Sequence, residues 1–197
     1  ICGNMNYDYQ MGVSTTLKYK GVSLSADLDI RQGGVMYSRT KDINYFTGNA
    51  IQTAYNDRNT MIVPNSVNEI INADGTISYV ENTTPISSAN MQAGNPGTFW
   101  GNGGFDMGSY SLIDKSYIKL RSIALSWELP NKWLANTPFQ AVRLSAFGNN
   151  LFLWTPSDNT FVDPEMSSFG NDLEGQYGEY TANPSSRRFG FNVMVKF

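Results

Sequence analysis

Histidine is absent from this chain of 197 residues, and cysteine occurs once, at Cys2. Without histidine no Ser-His-Asp or Cys-His nucleophile can be assembled. Histidine-based and multi-cysteine zinc sites are excluded as well, and a lone thiol cannot form an internal disulfide. Charge is sparse at 16% of residues, the net charge is −3, and no basic run occurs. The electrostatic footprint of a nucleic-acid binder is therefore missing. No apolar run approaches the roughly 18 residues that a membrane-spanning helix needs. Carboxylate chemistry remains open in principle, but it requires an enclosed pair that no motif signals. No catalytic residue, metal ligand or cofactor is expected, and the chain is read as non-enzymatic.

What is present is alternation. In Phe189–Phe197 the odd positions Phe189, Phe191, Val193, Val195 and Phe197 are large and apolar, while Gly190, Asn192, Met194 and Lys196 lie between them. Successive side chains of a strand point to opposite faces, so this segment has one greasy face and one mixed face. Val22, Leu24, Ala26, Leu28 and Ile30 alternate with Ser23, Ser25, Asp27, Asp29 and Arg31 in the same way. Met11–Tyr19 shows a matching pattern and is joined to the next strand across Lys20-Gly21, a hairpin signal. Each of these two strands has the length of a tilted membrane strand, about 9–11 residues. Tyr117–Leu129 alternates with a change of phase near Arg121-Ser122, which implies either a bulge or an extension beyond the membrane. A turn over 131–138 leads to a further strand ending near Trp154.

The expected fold is all-β, with five antiparallel strands near 9–20, 21–31, 115–129, 139–153 and 186–197. Two long connections, near 32–114 and 154–185, alternate with two short turns. The first is far longer than a compact soluble domain tolerates, whereas outer-membrane barrels have long extracellular loops and short periplasmic turns. Only one local hairpin is legible inside it, turning at Asn72-Ala-Asp-Gly-Thr76 between two apolar runs. Five strands cannot close a barrel, since small ones need about eight, so further strands are expected upstream. The opening Ile1-Cys-Gly-Asn has no initiator methionine and no signal-like segment, and is read as an internal or processed start.

Several blocks resemble one family. Ser116-Tyr-Ile-Lys-Leu-Arg-Ser-Ile-Ala-Leu-Ser-Trp-Glu-Leu-Pro130 is similar to a hallmark near the C-terminus of the SusC/RagA-type TonB-dependent transporters of the Bacteroidetes outer membrane. Val142-Arg-Leu-Ser-Ala-Phe-Gly-Asn-Asn-Leu-Phe-Leu-Trp-Thr155 resembles the next block, Phe161-Val-Asp-Pro-Glu165 the aspartate-proline-glutamate motif after it, and Pro184-Ser-Ser-Arg-Arg-Phe189 the opening of the last strand. Gly3-Asn-Met-Asn and Tyr19-Lys-Gly21 match upstream elements in order. The resemblance implies the last strands of a barrel of about 22 strands, with the plug domain and TonB box on other parts of the protein. It implies active import of a glycan or peptide, energised through TonB by way of the plug. The implied partners are a SusD-like surface lipoprotein and outer-membrane lipid, with no nucleic acid. The rivals are a passive porin-like channel and a soluble glycan-binding β-sandwich.

Asp27, Asp29 and Arg31 lie opposite the aliphatic row, and either contact substrate or plug in the lumen or neutralise one another there. Arg143 and Arg188 are read in the same two ways. The loop aromatics Tyr45, Phe46, Tyr55, Trp100 and Phe105 either meet substrate or the lipoprotein or form a loop core. Asp163, Glu165, Asp172 and Glu174 fit no calcium-loop spacing and are read as a solvated acidic loop. Trp127, Trp133 and Trp154 are expected in aromatic girdles, and the terminal Phe197 is read as the assembly signal that the resemblance implies.

Overall fold

In the computed structural model the described residues are 3–87, 99–101, 107–159, 162–166, 168 and 177–197. They fall into two compact units, one formed by 1–38 with 112–197 and the other by 39–111.

The first unit is built on a five-stranded sheet of β1 (Tyr9–Tyr19), β2 (Val22–Gln32), β7 (Tyr117–Glu128), β8 (Ala141–Trp154) and β10 (Arg188–Lys196), adjacent in that order. All four pairings are antiparallel. Lys20 and Gly21 join β1 to β2 with φ of 46° and 83°. Two positive φ values at the centre of a two-residue loop match the right-handed twist of the strands, and glycine accepts that conformation without steric cost. A helical turn, α3 (Asn131–Leu134), lies between β7 and β8.

Register converts the alternation of each strand into rows across the sheet. Leu17, Leu24, Leu125, Ala146 and Phe191 form one row, and Tyr19, Val22, Trp127, Leu144 and Val193 the next. Ser14, Asp27, Ser122, Asn149 and Arg188 form a row on the opposite face. The apolar face is open: Phe191 is 88% exposed, Leu17 65% and Val193 63%. Phe152 and Trp154 stack at one end of it, with ring centroids 5.7 Å apart, and Trp127 meets Trp133 edge-on at 5.5 Å at the other.

The phase change in β7 is a bulge. Leu28 opposes Leu120 and Asp27 opposes Ser122, which leaves Arg121 as the extra residue. The register on the β8 side shifts at the same point. The bulge returns Ser122 to the polar side already occupied by Lys119, so both halves of the strand keep one apolar face.

A small sheet completes this unit, in the order β6 (Leu112–Asp114), β3 (Val35–Ser38), β9 (Gly178–Glu179). β3 pairs antiparallel with β6 and parallel with β9, and Met36 and Ile113 are buried there. A Cβ at Gly178 would lie 2.3 Å from the Tyr37 carbonyl oxygen. Gly178→Ala should therefore cost about 1–3 kcal/mol by overpacking. Thermal unfolding of the full-length protein followed by circular dichroism should move to lower temperature, and an unchanged transition would refute this.

The second unit contains α1 (Arg39–Thr47), a kinked 3-10 segment (Ile51–Arg58), the hairpin of β4 (Val67–Ile71) and β5 (Ile77–Glu81), and α2 (Met107–Tyr110). The hairpin turns at Asn72–Thr76 as its sequence predicts, closed by Asn72 N–H donating to the Thr76 carbonyl at 2.8 Å. The remainder of 32–114 is more regular than its sequence pattern suggests. Its elements are three to nine residues long, too short to show a period. α1 also carries Arg39, Lys41, Asp42 and Asn44 in place of an apolar stripe. No helix among the described residues is long and apolar enough to cross a membrane, which says nothing of crossing by strands.

Candidate functional site

The polar face of the sheet carries an ion-pair network at the end of β2 and the start of β7. Lys119 is opposite Asp29 and Tyr117 is opposite Arg31 in the ladder. The bulge adds Arg121 to the same side. Tyr117 donates its hydroxyl to Asp29 at 3.1 Å, Arg121 pairs with Asp29, and Arg31 lies 3.7 Å from that carboxylate. Three donors thus converge on one acid.

The acids that balance the β7 cations come from the connection after β8. Asp163 and Glu165 flank Pro164 in a turn closed by Met166 N–H donating to the Asp163 carbonyl at 3.0 Å. Glu165 N–H also donates to Asp163 Oδ1 at 3.1 Å. Lys119 Nζ donates to Asp163 and to Glu165, each at 2.7 Å, and lies 3.3 Å from Ser185 Oγ. Ser185 in turn donates to Asp163 at 2.6 Å. Arg121 grips Glu165 with both terminal nitrogens, one at 2.6 Å. The Lys119 side chain is 2% exposed and that of Asp163 4%. Burying two charges costs several kcal/mol per ion unless pairing and hydrogen bonding offset it, and here three protein groups meet one ammonium.

Glu165 therefore differs from an ordinary surface glutamate. Burial pushes its carboxyl up, but the hydrogen bonds and charges of Arg121 and Lys119 more than reverse this and lower it to about 2. A carboxyl lowered on folding stabilises the fold fully above its ordinary value of 4.5, and that contribution is lost as the pH falls toward 2. Glu165→Gln should flatten the acid decline of stability between those limits. Thermal unfolding of the full-length protein at stepped pH measures it, and parallel curves for variant and parent would refute it.

A second layer covers Arg31. The Tyr7 ring packs 5.4 Å from the Arg31 guanidinium and 4.3 Å from Lys115 Nζ. Burial, with Arg31 nearby, pushes the Lys115 amine down, and burial pushes the Tyr7 phenol up. Ser116 clasps the neighbouring crossing: its hydroxyl accepts from Gly33 N–H at 2.8 Å and donates to Asp114 at 2.5 Å.

The structure treats the sequence-derived candidates unequally. Asp29 and Arg31 join the network, while Asp27 accepts from Ser122. Arg143 pairs with Glu128 at the far end, where both side chains are about half exposed. Arg188 is exposed and forms no ion pair among the described residues. Tyr45 is buried in the core of the second unit, edge-on to Tyr110 at 4.9 Å and 5.8 Å from Trp100, which is also buried. Burial and the Tyr110 hydroxyl push the Tyr45 phenol well above its usual value. Tyr45 is closed off in that core, whereas Trp100 also reaches the apolar groove beside Tyr55. Phe46 is half-buried. Tyr55 is exposed, beside an apolar groove that Ile51, Met61 and Pro64 also line. Phe105 lies outside the described residues. Phe197 is exposed and meets Phe139 edge-on at 5.4 Å.

One expectation is overturned. Asp163 and Glu165 do not belong to a solvated acidic loop, because Lys119 and Arg121 hold them. Asp172 and Glu174 lie outside the described residues. Among the described residues no group of three His, Cys, Asp or Glu side chains could hold a metal ion. Lys119 and Arg121 flank one leucine, and Asp163 and Glu165 flank one proline, but that spacing does not by itself signal the pairing.

An antiparallel sheet with exposed apolar rows and aromatic ends on one face and ion-paired polar rows on the other has the construction of an outer-membrane β-barrel wall. Comparison with known proteins agrees. No family model matches the chain. The chain is 24% identical over 198 aligned positions to TonB-dependent receptor P26 of Formosa agariphila, covering 98% of this chain and 17% of that protein. It is 31% identical over 91 residues to TonB-dependent receptor P3 of the same organism, covering 44% of this chain and 9% of that protein. Its fold matches the RagAB peptide importer in the closed-closed state with a TM-score of 0.61 at 18% identity, over 100% of this chain and 18% of that one. A second RagAB peptide transporter structure matches with a TM-score of 0.59 at 19% identity, over 98% of this chain and 17% of that one. The chain thus spans less than a fifth of the length of its relatives. The two Formosa agariphila relatives are TonB-dependent receptors, and the resemblance of the chain's sequence blocks to the SusC/RagA type agrees with the fold that it shares with the RagAB importer.

Proposed function

We propose that the whole protein of which this chain is a part imports a bulky nutrient, a peptide or a glycan, across the outer membrane at the expense of TonB-transmitted energy. The likeness to TonB-dependent receptor P26 along almost the whole chain carries this reading. The fold shared with a peptide importer favours a peptide as cargo. On this reading the apolar rows around Leu125 and Phe191 face lipid. The row of Asp27, with Asp29, Arg31, Arg143 and Arg188, faces the lumen, where ion pairs offset one another and leave hydroxyls and amides to meet cargo or plug. Upstream strands and the plug complete the barrel, a SusD-like lipoprotein sits over the long connections, and Phe197 marks the chain for assembly.

Uptake by cells carrying the full-length protein tests this. Import of a labelled peptide mixture or oligosaccharide should fall to background when TonB is removed, whereas TonB-independent uptake would establish a passive channel. Deleting residues 45–105 should reduce recovery of the lipoprotein with the transporter, or uptake, while the barrel still assembles. Unchanged recovery and uptake would refute a role for that connection.

A further inference from the structure

The connection between β8 and β10 does not simply stand clear of the sheet. Its Asp163–Met166 turn lies on the polar face, where ion pairs and hydrogen bonds hold it. Lys119 and Arg121 reach it from β7, and Ser185, just ahead of β10, closes the same ring through Asp163. Further along the connection, β9 is fastened parallel to β3, and Ser38 donates to Glu179 at 2.5 Å. The described parts of the connection are thus tied to the polar face at one place and to the small sheet at the other.

Buried ion pairs contribute little net stability compared with well-packed apolar groups of similar size, but they fix geometry, because each charge finds its compensation in only one arrangement. Four contacts to two acids two residues apart specify where this turn sits. We infer that the Asp163–Glu165 turn is a strap: the Lys119–Arg121 pair holds it against the lumen face of β7, so that this connection narrows the passage. This rests on the importer reading for the identity of the lumen. The structural arm of the test does not depend on that reading.

The test uses the full-length protein with Asp163→Asn and Glu165→Gln combined, which keeps shape and removes both charges. Hydrogen exchange in detergent should rise about tenfold or more over 162–166, while the β8 amides stay protected. In cells with TonB, where the plug is displaced during import, entry of a hydrophilic dye too large for general porins should rise above the parent level. A companion variant, Lys119→Met with Asp163→Leu, replaces the buried pair by apolar packing and should keep both exchange and dye entry near the parent. Unchanged exchange in the first variant would show that the network does not hold the turn. Raised exchange with parent-level dye entry would show that the turn does not narrow the passage. Either result overturns the inference. Failure of the importer reading would appear separately, as cargo uptake by the parent without TonB.

Discussion

Lys119→Ala is expected to destabilise the full-length protein by about 3–5 kcal/mol, the usual loss when one partner of a buried ion pair is removed. The size follows from what is left behind. Asp163, 4% exposed at its side chain, would keep Ser185 but lose its only cation among the described residues. Glu165 would keep Arg121. Lys119→Arg should recover little, because the larger planar fork does not fit a site where one ammonium meets three oxygens. Lys119→Met with Asp163→Leu should recover most of the loss. Urea unfolding of the protein refolded into detergent or bilayer measures all three. A loss below about 1 kcal/mol in Lys119→Ala, the range of exposed pairs, would mean that water reaches the site.

Ile123→Arg is expected to cost about 2–4 kcal/mol, the penalty for arginine on the lipid face near the bilayer midplane. Ile123 belongs to the central apolar row, between Ala26 and Gly148. On a water-facing sheet the same substitution would be nearly neutral. Ser14→Arg provides the control, because it places the same group on the opposite face beside Asp27. Its effect should be within about 0.5 kcal/mol of the parent. Equal effects of the two substitutions on assembly and unfolding in bilayers would contradict a lipid-facing side. The comparison probes face rather than position, since both residues lie in middle rows of the sheet.

The sheet was legible because a two-residue period over ten residues, as in Val22–Arg31, leaves few alternatives to a half-buried strand. Lys20-Gly21 named its own turn, and the slip at Arg121-Ser122 was visible as a change of phase. β3, β6 and β9 were not legible, since two to four residues carry no period and their pairing joins positions far apart in sequence. The network was half legible. Asp29 and Arg31 were on the correct face, but the acids that complete it lie 44 residues beyond Lys119 and Arg121. Nothing local in Phe161-Val-Asp-Pro-Glu165 distinguishes an acid that meets a lysine from one that meets water. Tyr45 and Tyr55 look alike in sequence for the same reason, yet one is core and the other surface.

The pairing of β3 with β6 has a consequence for how such a protein diversifies. Tyr37 lies directly across the ladder from Leu112, so the chain leaves and re-enters the first unit at adjacent points. The entropy of closing the intervening segment grows only logarithmically, by about 0.6 kcal/mol for each doubling of its length. Residues 39–111 can therefore be exchanged as a cassette of almost any size, with the splice sites already held in register. A graft that respects the Tyr37–Leu112 junction should leave the sheet unaware of what has been installed between those two residues.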